Sequence, residues 1–169
     1  MRVFIEQQRF NQLWLIIIII ISLFVPIGIV LGIYIKDSDS FSVAELILWI
    51  GVLILASVFI FSFKLNTRID EEGVHYQFFP FHMKFRVLKW NDINSAYVRQ
   101  YDALSEYGGW GLKGGNLWKK SKGKAINVSG DIGIQLELNN GKRLLIGTQK
   151  KVEAENVLVT YKYKFENNV

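Results

Sequence analysis

Two stretches decide the fold of this chain: residues 13–35, LWLIIIIIISLFVPIGIVLGIYI, and residues 43–63, VAELILWIGVLILASVFIFSF. The first carries no charge, and the second carries only Glu45. About 20 apolar residues take a helix across ~30 Å of hydrocarbon, and a helix is the one single-segment structure that satisfies its own backbone there. Both stretches therefore read as membrane-spanning helices. The connecting residues Lys36 to Ser42 allow little more than a turn, so the helices are predicted to form an antiparallel hairpin. A cleaved signal peptide fits poorly, because the first run is too long for an h-region, no small-x-small site follows it and a second span does.

Orientation follows from the flanking cations. Arg2 and Arg9 precede the first span and Lys64 and Arg68 follow the second, whereas the loop sets one Lys against Asp37 and Asp39. The positive-inside rule then puts both termini in the cytoplasm, with residues 1–12 as an N-terminal segment there. That segment mixes Phe4, Ile5 and Phe10 with Arg2, Glu6 and Arg9, a pattern that predicts a short interfacial helix. Pro26 is expected to kink the first span. Gly28 and Gly32 offer a smooth face for helix packing, which would permit a homo-oligomer through the transmembrane helices; such pairs are also ordinary membrane-helix composition. Glu45 is expected at the outer headgroup level rather than in a proton relay.

Residues 64–169 are just enough for one domain with a single core. The chain has no cysteine, which excludes disulfides, thiol nucleophiles and cysteine-ligated zinc. From residue 64 onward 17 Lys and Arg face 11 Asp and Glu, so the positive charge sits in this part. Lys113, Lys119, Lys120, Lys122 and Lys124 form the clearest basic cluster, in a stretch whose only acid is Glu106.

Here the apolar pattern changes to period-two alternation. Strands are predicted at 65–70 and 74–79 around the Glu71-Glu72-Gly73 turn, then at 83–89 with Met83, Phe85 and Val87 inward, and at 94–101. After an irregular segment from Asp102 to Lys122, further strands are predicted at 124–129, 132–138 and 142–147. Ile132, Ile134, Leu136 and Leu138 should face inward and Gln135 outward, and Asn140-Gly141 suits a type I′ turn. Residues 149–166 accept either period, but Ala154, Leu158, Tyr161 and Phe165 share a helical face, and seven antiparallel strands need a cover over an open end.

Seven strands and a closing helix in that order resemble the pleckstrin-homology (PH) superfold, here a seven-stranded β-barrel or sandwich. The hairpin in front narrows the resemblance to bacterial two-helix membrane proteins that carry a bacterial PH-like domain. Arg99-Gln100-Tyr101, residues 106–111 (EYGGWG), residues 125–130 (AINVSG) and residues 146–149 (IGTQ) look like the signature of one such group. It implies a shape and an address, the bacterial cytoplasmic membrane, and no activity.

The most unusual stretch is Glu106 to Gly115, where five glycines surround Trp110. Glycine permits close backbone approach, and a tryptophan on such a loop is a common partner anchor. One reading is a recognition loop in which Glu106, Tyr107 and Trp110 contact a protein partner; the other is that Trp110 folds back as a plug. The loop lacks the Gly-Lys-Ser/Thr of a phosphate loop. Lys113, Lys119, Lys120, Lys122 and Lys124, with Trp118 at the interface, could hold the loop against anionic lipid, or could simply be a solvated face. A phosphoinositide pocket is disfavoured, since the first hairpin loop carries Glu71-Glu72-Gly73 in place of cations. No stacking platform accompanies the lysines, so nucleic acid is not expected. His75 and His82 lack a cysteine or carboxylate companion and are expected on a sheet surface, with no metal site. Ser129 near Asp131 lacks a base. The expectation is a non-enzymatic membrane protein without a cofactor, presenting a PH-like adaptor module to a protein partner through Glu106 to Gly115. The alternatives are an anionic-lipid sensor through Lys113 to Lys124, or a structural subunit of a membrane complex.

Overall fold

The structure of the protein, a computed structural model, describes residues 2–37, 42–114 and 123–166. The chain forms two compact units, one of Phe10–Phe63 and one that joins Met1–Arg9 to Lys64–Val169.

The first unit is helical. Helix α1 runs over Leu13–Lys36 and continues through Pro26, and helix α2 covers Val43–Phe59 and tightens into a 3-10 turn at Ile60–Ser62. At a rise of 1.5 Å per residue α1 is about 36 Å long, enough to cross a bilayer, and α2 with its last turn reaches about 30 Å. Ser42 starts α2 with a capping box. Its hydroxyl accepts from the Glu45 backbone N–H at 3.3 Å, and the Glu45 carboxylate accepts from the Ser42 N–H at 2.8 Å. Glu45 thus has a local task at the helix end. Phe63 packs edge-to-face on Phe10 and Phe59.

The second unit holds two open sheets and a C-terminal helix. The first sheet has the order β1-β2-β3-β4, with β1 Phe4–Arg9, β2 Lys64–Ile69, β3 Gly73–Phe79 and β4 Arg86–Lys89. The second has β5 Ile93–Gln100, β6 Gly111–Lys113, β7 Lys124–Asn127, β8 Ile132–Leu138 and β9 Arg143–Gly147 in the order β5-β8-β9-β7-β6. Among the described residues there are therefore nine strands in two open sheets rather than seven antiparallel ones, and β7 runs parallel to β9. The additions are β6 and β1. Residues 4–9, expected in an interfacial helix, are an edge strand paired antiparallel with β2, Phe4 opposite Ile69 and Arg9 opposite Lys64. Alternation sends Phe4, Glu6 and Gln8 inward. Two of those three are polar, and their partners lie far along the chain: Glu6 accepts from the Thr148 hydroxyl at 2.6 Å and the Gln149 N–H at 2.8 Å, while Gln8 donates to the Gly147 carbonyl at 2.7 Å.

Helix α4, Lys151–Tyr161, buries Ala154, Val157, Leu158 and Tyr161, and the short α5, Tyr163–Glu166, follows. Tyr161 and Phe165 stack on Trp90, whose indole N–H donates to the Asp70 carbonyl at 2.9 Å. The terminal segment is a cover, as its helical face requires.

Four further expectations are corrected. Asn140 does not adopt positive φ; only Gly141 does, at 76°, and the Gly141 N–H bonds to Leu138. The turn is thus a three-residue type with glycine in the bulge. Gln135 is buried, because Arg99 lies over it and donates to its Oε1 at 3.0 Å. His75 and His82 are buried too: His75 pairs with Asp70 at 3.0 Å, and His82 Nδ1 accepts the Phe78 N–H at 3.3 Å. Met83, Phe85 and Val87 are exposed, because β4 is a short edge strand that starts only at Arg86.

Candidate functional site

Asp102 to Gly108 begins as a helix because its ends are capped. The Asp102 carboxylate accepts from the N–H groups of Leu104 and Ser105 at 2.9 and 3.0 Å, and Gly108, at φ 73°, closes the turn with its N–H on Leu104. This makes α3, Ala103–Tyr107, a single turn. It fixes Glu106 and Tyr107 in place.

Both then turn to Arg99 on β5. The guanidinium donates to the two Glu106 oxygens at 3.2 and 2.9 Å, to the Tyr107 hydroxyl at 3.0 Å and to Gln135. A two-pronged bond of this kind fixes orientation as well as charge. Burial works against the Arg99 charge, but Glu106 and Tyr107 outweigh it and hold the proton more firmly than usual. Burial pushes the phenols of Tyr107 and Tyr101 up, so both stay neutral.

A second set of bonds runs beside the first. Asn127, fully buried, donates to the Tyr101 hydroxyl at 3.0 Å and accepts the Gly111 N–H at 2.9 Å. Gly147 passes so close that a Cβ there would lie 2.9 Å from that of Asn127, and Gln149 donates to the Ser129 hydroxyl. Trp110 packs on the cluster of Tyr101, Ala103, Tyr107, Ala125 and Leu145, and its indole N–H reaches the Gly130 carbonyl at 3.3 Å. The four separated stretches 99–101, 106–111, 125–130 and 146–149 therefore meet at one corner.

Outside that corner lies an open cleft of about 640 Å³. Tyr101 and Ala103 form its floor, Trp110 and Leu104 its apolar walls, and Gln100, Asp102 and Asp131 its polar rim. Gln100 donates to Asp131 at 2.6 Å.

The expected site residues thus separate into two kinds. Trp110 and Glu106 both line the cleft, Glu106 with its carboxylate turned to Arg99, while Tyr107 is buried and supports the surface from behind. Arg99, Asn127, Gln100, Leu104 and Asp131 were not among the expected binding residues; the regular spacing of Arg99 and Gln100 along a strand gave no hint of what faces them. Of the basic cluster, Lys113 closes β6 and Lys124 opens β7 on the neighbouring strand, with Lys113 opposite Ala125. Trp118, Lys119, Lys120 and Lys122 lie outside the described residues, as does Gly115. A side chain added at Gly28 or Gly32 would meet nothing within 4 Å, so α1 and α2 do not use that face for each other.

No family model matches the chain, and comparison with curated proteins gives no significant match.

Proposed function

We propose that the protein is an integral membrane protein of the bacterial cytoplasmic membrane, in which a PH-like module binds a protein partner at the cytoplasmic face without catalysing a reaction. The observation that carries this reading is the cleft beside Trp110. An indole backed by a buried aromatic cluster and flanked by Asp102 and Asp131 suits an apolar or cationic side chain of a partner. The rim is supported by bonds that leave little to reorganise on binding, which favours affinity.

The PH-like assignment is supported by two sheets of mainly antiparallel strands followed by a terminal helix, and it departs from the expected arrangement in the additions β1 and β6 and in the parallel pairing of β7 with β9. Membrane anchoring is supported by two helices of sufficient length and hydropathy. A common side for both ends of the hairpin is supported by the pairing of β1 with β2, because strands on opposite sides of a bilayer could not bond, and Arg2, Arg9, Lys64 and Arg68 favour the cytoplasm as that side.

Photo-crosslinking from a benzoyl-phenylalanine at position 110 in native membranes tests the proposal. A discrete protein adduct is expected. Adducts to lipid alone would transfer the role to a lipid-surface sensor at Lys113 to Lys124, and adducts confined to the chain itself would make Trp110 a plug.

A further inference from the structure

The segment between β3 and β4 exposes what a sheet normally hides. Phe81 and Met83 are 62% and 74% exposed, and Phe85 and Val87 are also open to solvent. Lys84 and Arg86 alternate with them and are exposed as well. From Val74 to Asn91 the chain contains no acidic residue. A surface that mixes large apolar side chains with cations, and excludes anions, fits the headgroup and acyl boundary of an anionic bilayer.

This exposure is built and not frayed. The His82 N–H donates to the Phe78 carbonyl at 2.8 Å while the His82 ring accepts the Phe78 N–H, and the buried ring packs edge-to-face on Tyr76. Gln77 holds the Met83 carbonyl at 3.0 Å, and Phe81 stacks on Phe78 at 5.9 Å. Tucking His82 under the turn leaves its neighbours on either side pointing out.

Register then says which end of the sheet this is. Strand β2 starts at Lys64, directly after the helical segment, and Lys64 stands opposite both Arg9, the last residue before that segment, and Phe79, the last residue of β3. The turn that follows Phe79 therefore leaves the sheet at the end where the chain enters and leaves the apolar helices. Anchoring α1 and α2 in a bilayer holds that end at its surface.

We propose that the loop of Phe81, Met83 and Phe85, with Lys84 and Arg86, inserts into the cytoplasmic interface of an anionic bilayer and so fixes the orientation of the sheet unit on the membrane. This rests on the reading of α1 and α2 as membrane spans. It concerns a surface distinct from the lysines of residues 113–124.

The absence of cysteine makes the test direct. Single cysteines, Met83→Cys in the loop, Glu71→Cys in the turn at the far end of β2, and Ile29→Cys in α1, are labelled with an environment-sensitive nitrobenzoxadiazole dye. The full-length protein is reconstituted in vesicles of phosphatidylcholine with 30% phosphatidylglycerol. Expected is quenching at 83 by a headgroup-proximal spin-labelled lipid at least threefold stronger than at 71, with quenching at 29 by a deep label. The quenching at 83 should weaken in phosphatidylcholine alone; equal quenching in both would overturn the anionic preference. A dye at 83 that is solvent-like, or shielded without being quenched by lipid, beside a deeply quenched 29 overturns the insertion and leaves the spans standing. A solvent-like 29 overturns the spans, and the loop insertion with them.

Discussion

The two units use the same aliphatic side chains in opposite ways. In the sheet unit Leu65, Ile69, Ile134, Leu136 and Ile146 are fully enclosed, whereas along α1 only Ile19 is buried and in α2 no residue is. A sheet that must build its own interior spaces its apolar residues at period two, because only one face has a neighbour. A helix whose surroundings come from outside the chain has no reason to alternate. The segment around Phe81 and Met83 belongs to the sheet unit by position and to the helices by exposure, and that mismatch marks it as a contact surface.

The largest effect expected from this contrast is a truncation made in each unit. Leu136→Ala should cost about 2–5 kcal/mol by opening a cavity between β8 and its neighbours. Ile29→Ala removes the same kind of side chain from an exposed face of α1 and should cost less than about 0.6 kcal/mol. Guanidinium unfolding in detergent micelles, followed by near-ultraviolet circular dichroism, compares them. Equal costs would dissolve the distinction between the units.

Next in size is the polar corner. Taking one member from a buried charge pair costs about 3–5 kcal/mol, and the partial solvent access of Arg99 and Glu106 reduces this, so Arg99→Met should cost about 2 kcal/mol. Adding Glu106→Gln should restore part of the loss, because the remaining carboxylate is then no longer unpaired. No recovery in the double variant would mean that Arg99 acts by packing alone.

The smallest effect is expected from acid, and it is confined to the sheet unit. Burial raises Asp70, but the Glu72 N–H, His75 and Arg68 outweigh it and hold its carboxyl below the ordinary range. Burial, with Arg86 and Lys124 nearby, lowers His82. A group bound to fewer protons in the folded state lends stability at higher pH. For His82 that stability is complete above an ordinary imidazole value of about 6.5 and declines as pH falls from there towards its lowered value; Asp70 adds a further loss below about 4. The thermal midpoint of the near-ultraviolet signal should drop between pH 7 and pH 5, while the helical far-ultraviolet signal of the hairpin persists. His82→Gln, which keeps an acceptor for the Phe78 N–H, should flatten that slope.

Much of this was legible in the sequence, and for physical reasons. The two apolar helices declare themselves because 13–35 and 43–63 are long runs almost without charge. Strand β8 does so because Ile132 to Leu138 alternate without a break, and α4 because Ala154, Leu158 and Tyr161 recur at helical spacing. What stayed hidden was every case in which a polar residue is buried by a distant partner. Glu6 and Gln8 face inward towards Thr148 and Gly147, and Gln135 lies beneath Arg99, so each breaks the pattern that would announce it. At the candidate site Trp110 was visible as an aromatic among glycines. The residues that position it were not, since Arg99, Asn127 and Gly147 come together only when β5, β7 and β9 are assembled.

Strand β1 is synthesised before the helices and its partner β2 after them. In a chain whose helices span a bilayer, the sheet unit is then completed only when the hairpin has entered the membrane with its amino terminus on the side where β2 emerges. Were only one of the two helices to cross, residues 4–9 would lie across the bilayer from β2, leaving β2 with a bare edge and Thr148 without its carboxylate. In such a chain the pairing of β1 with β2 would register that both helices have crossed, in the order in which the ribosome delivers the strands.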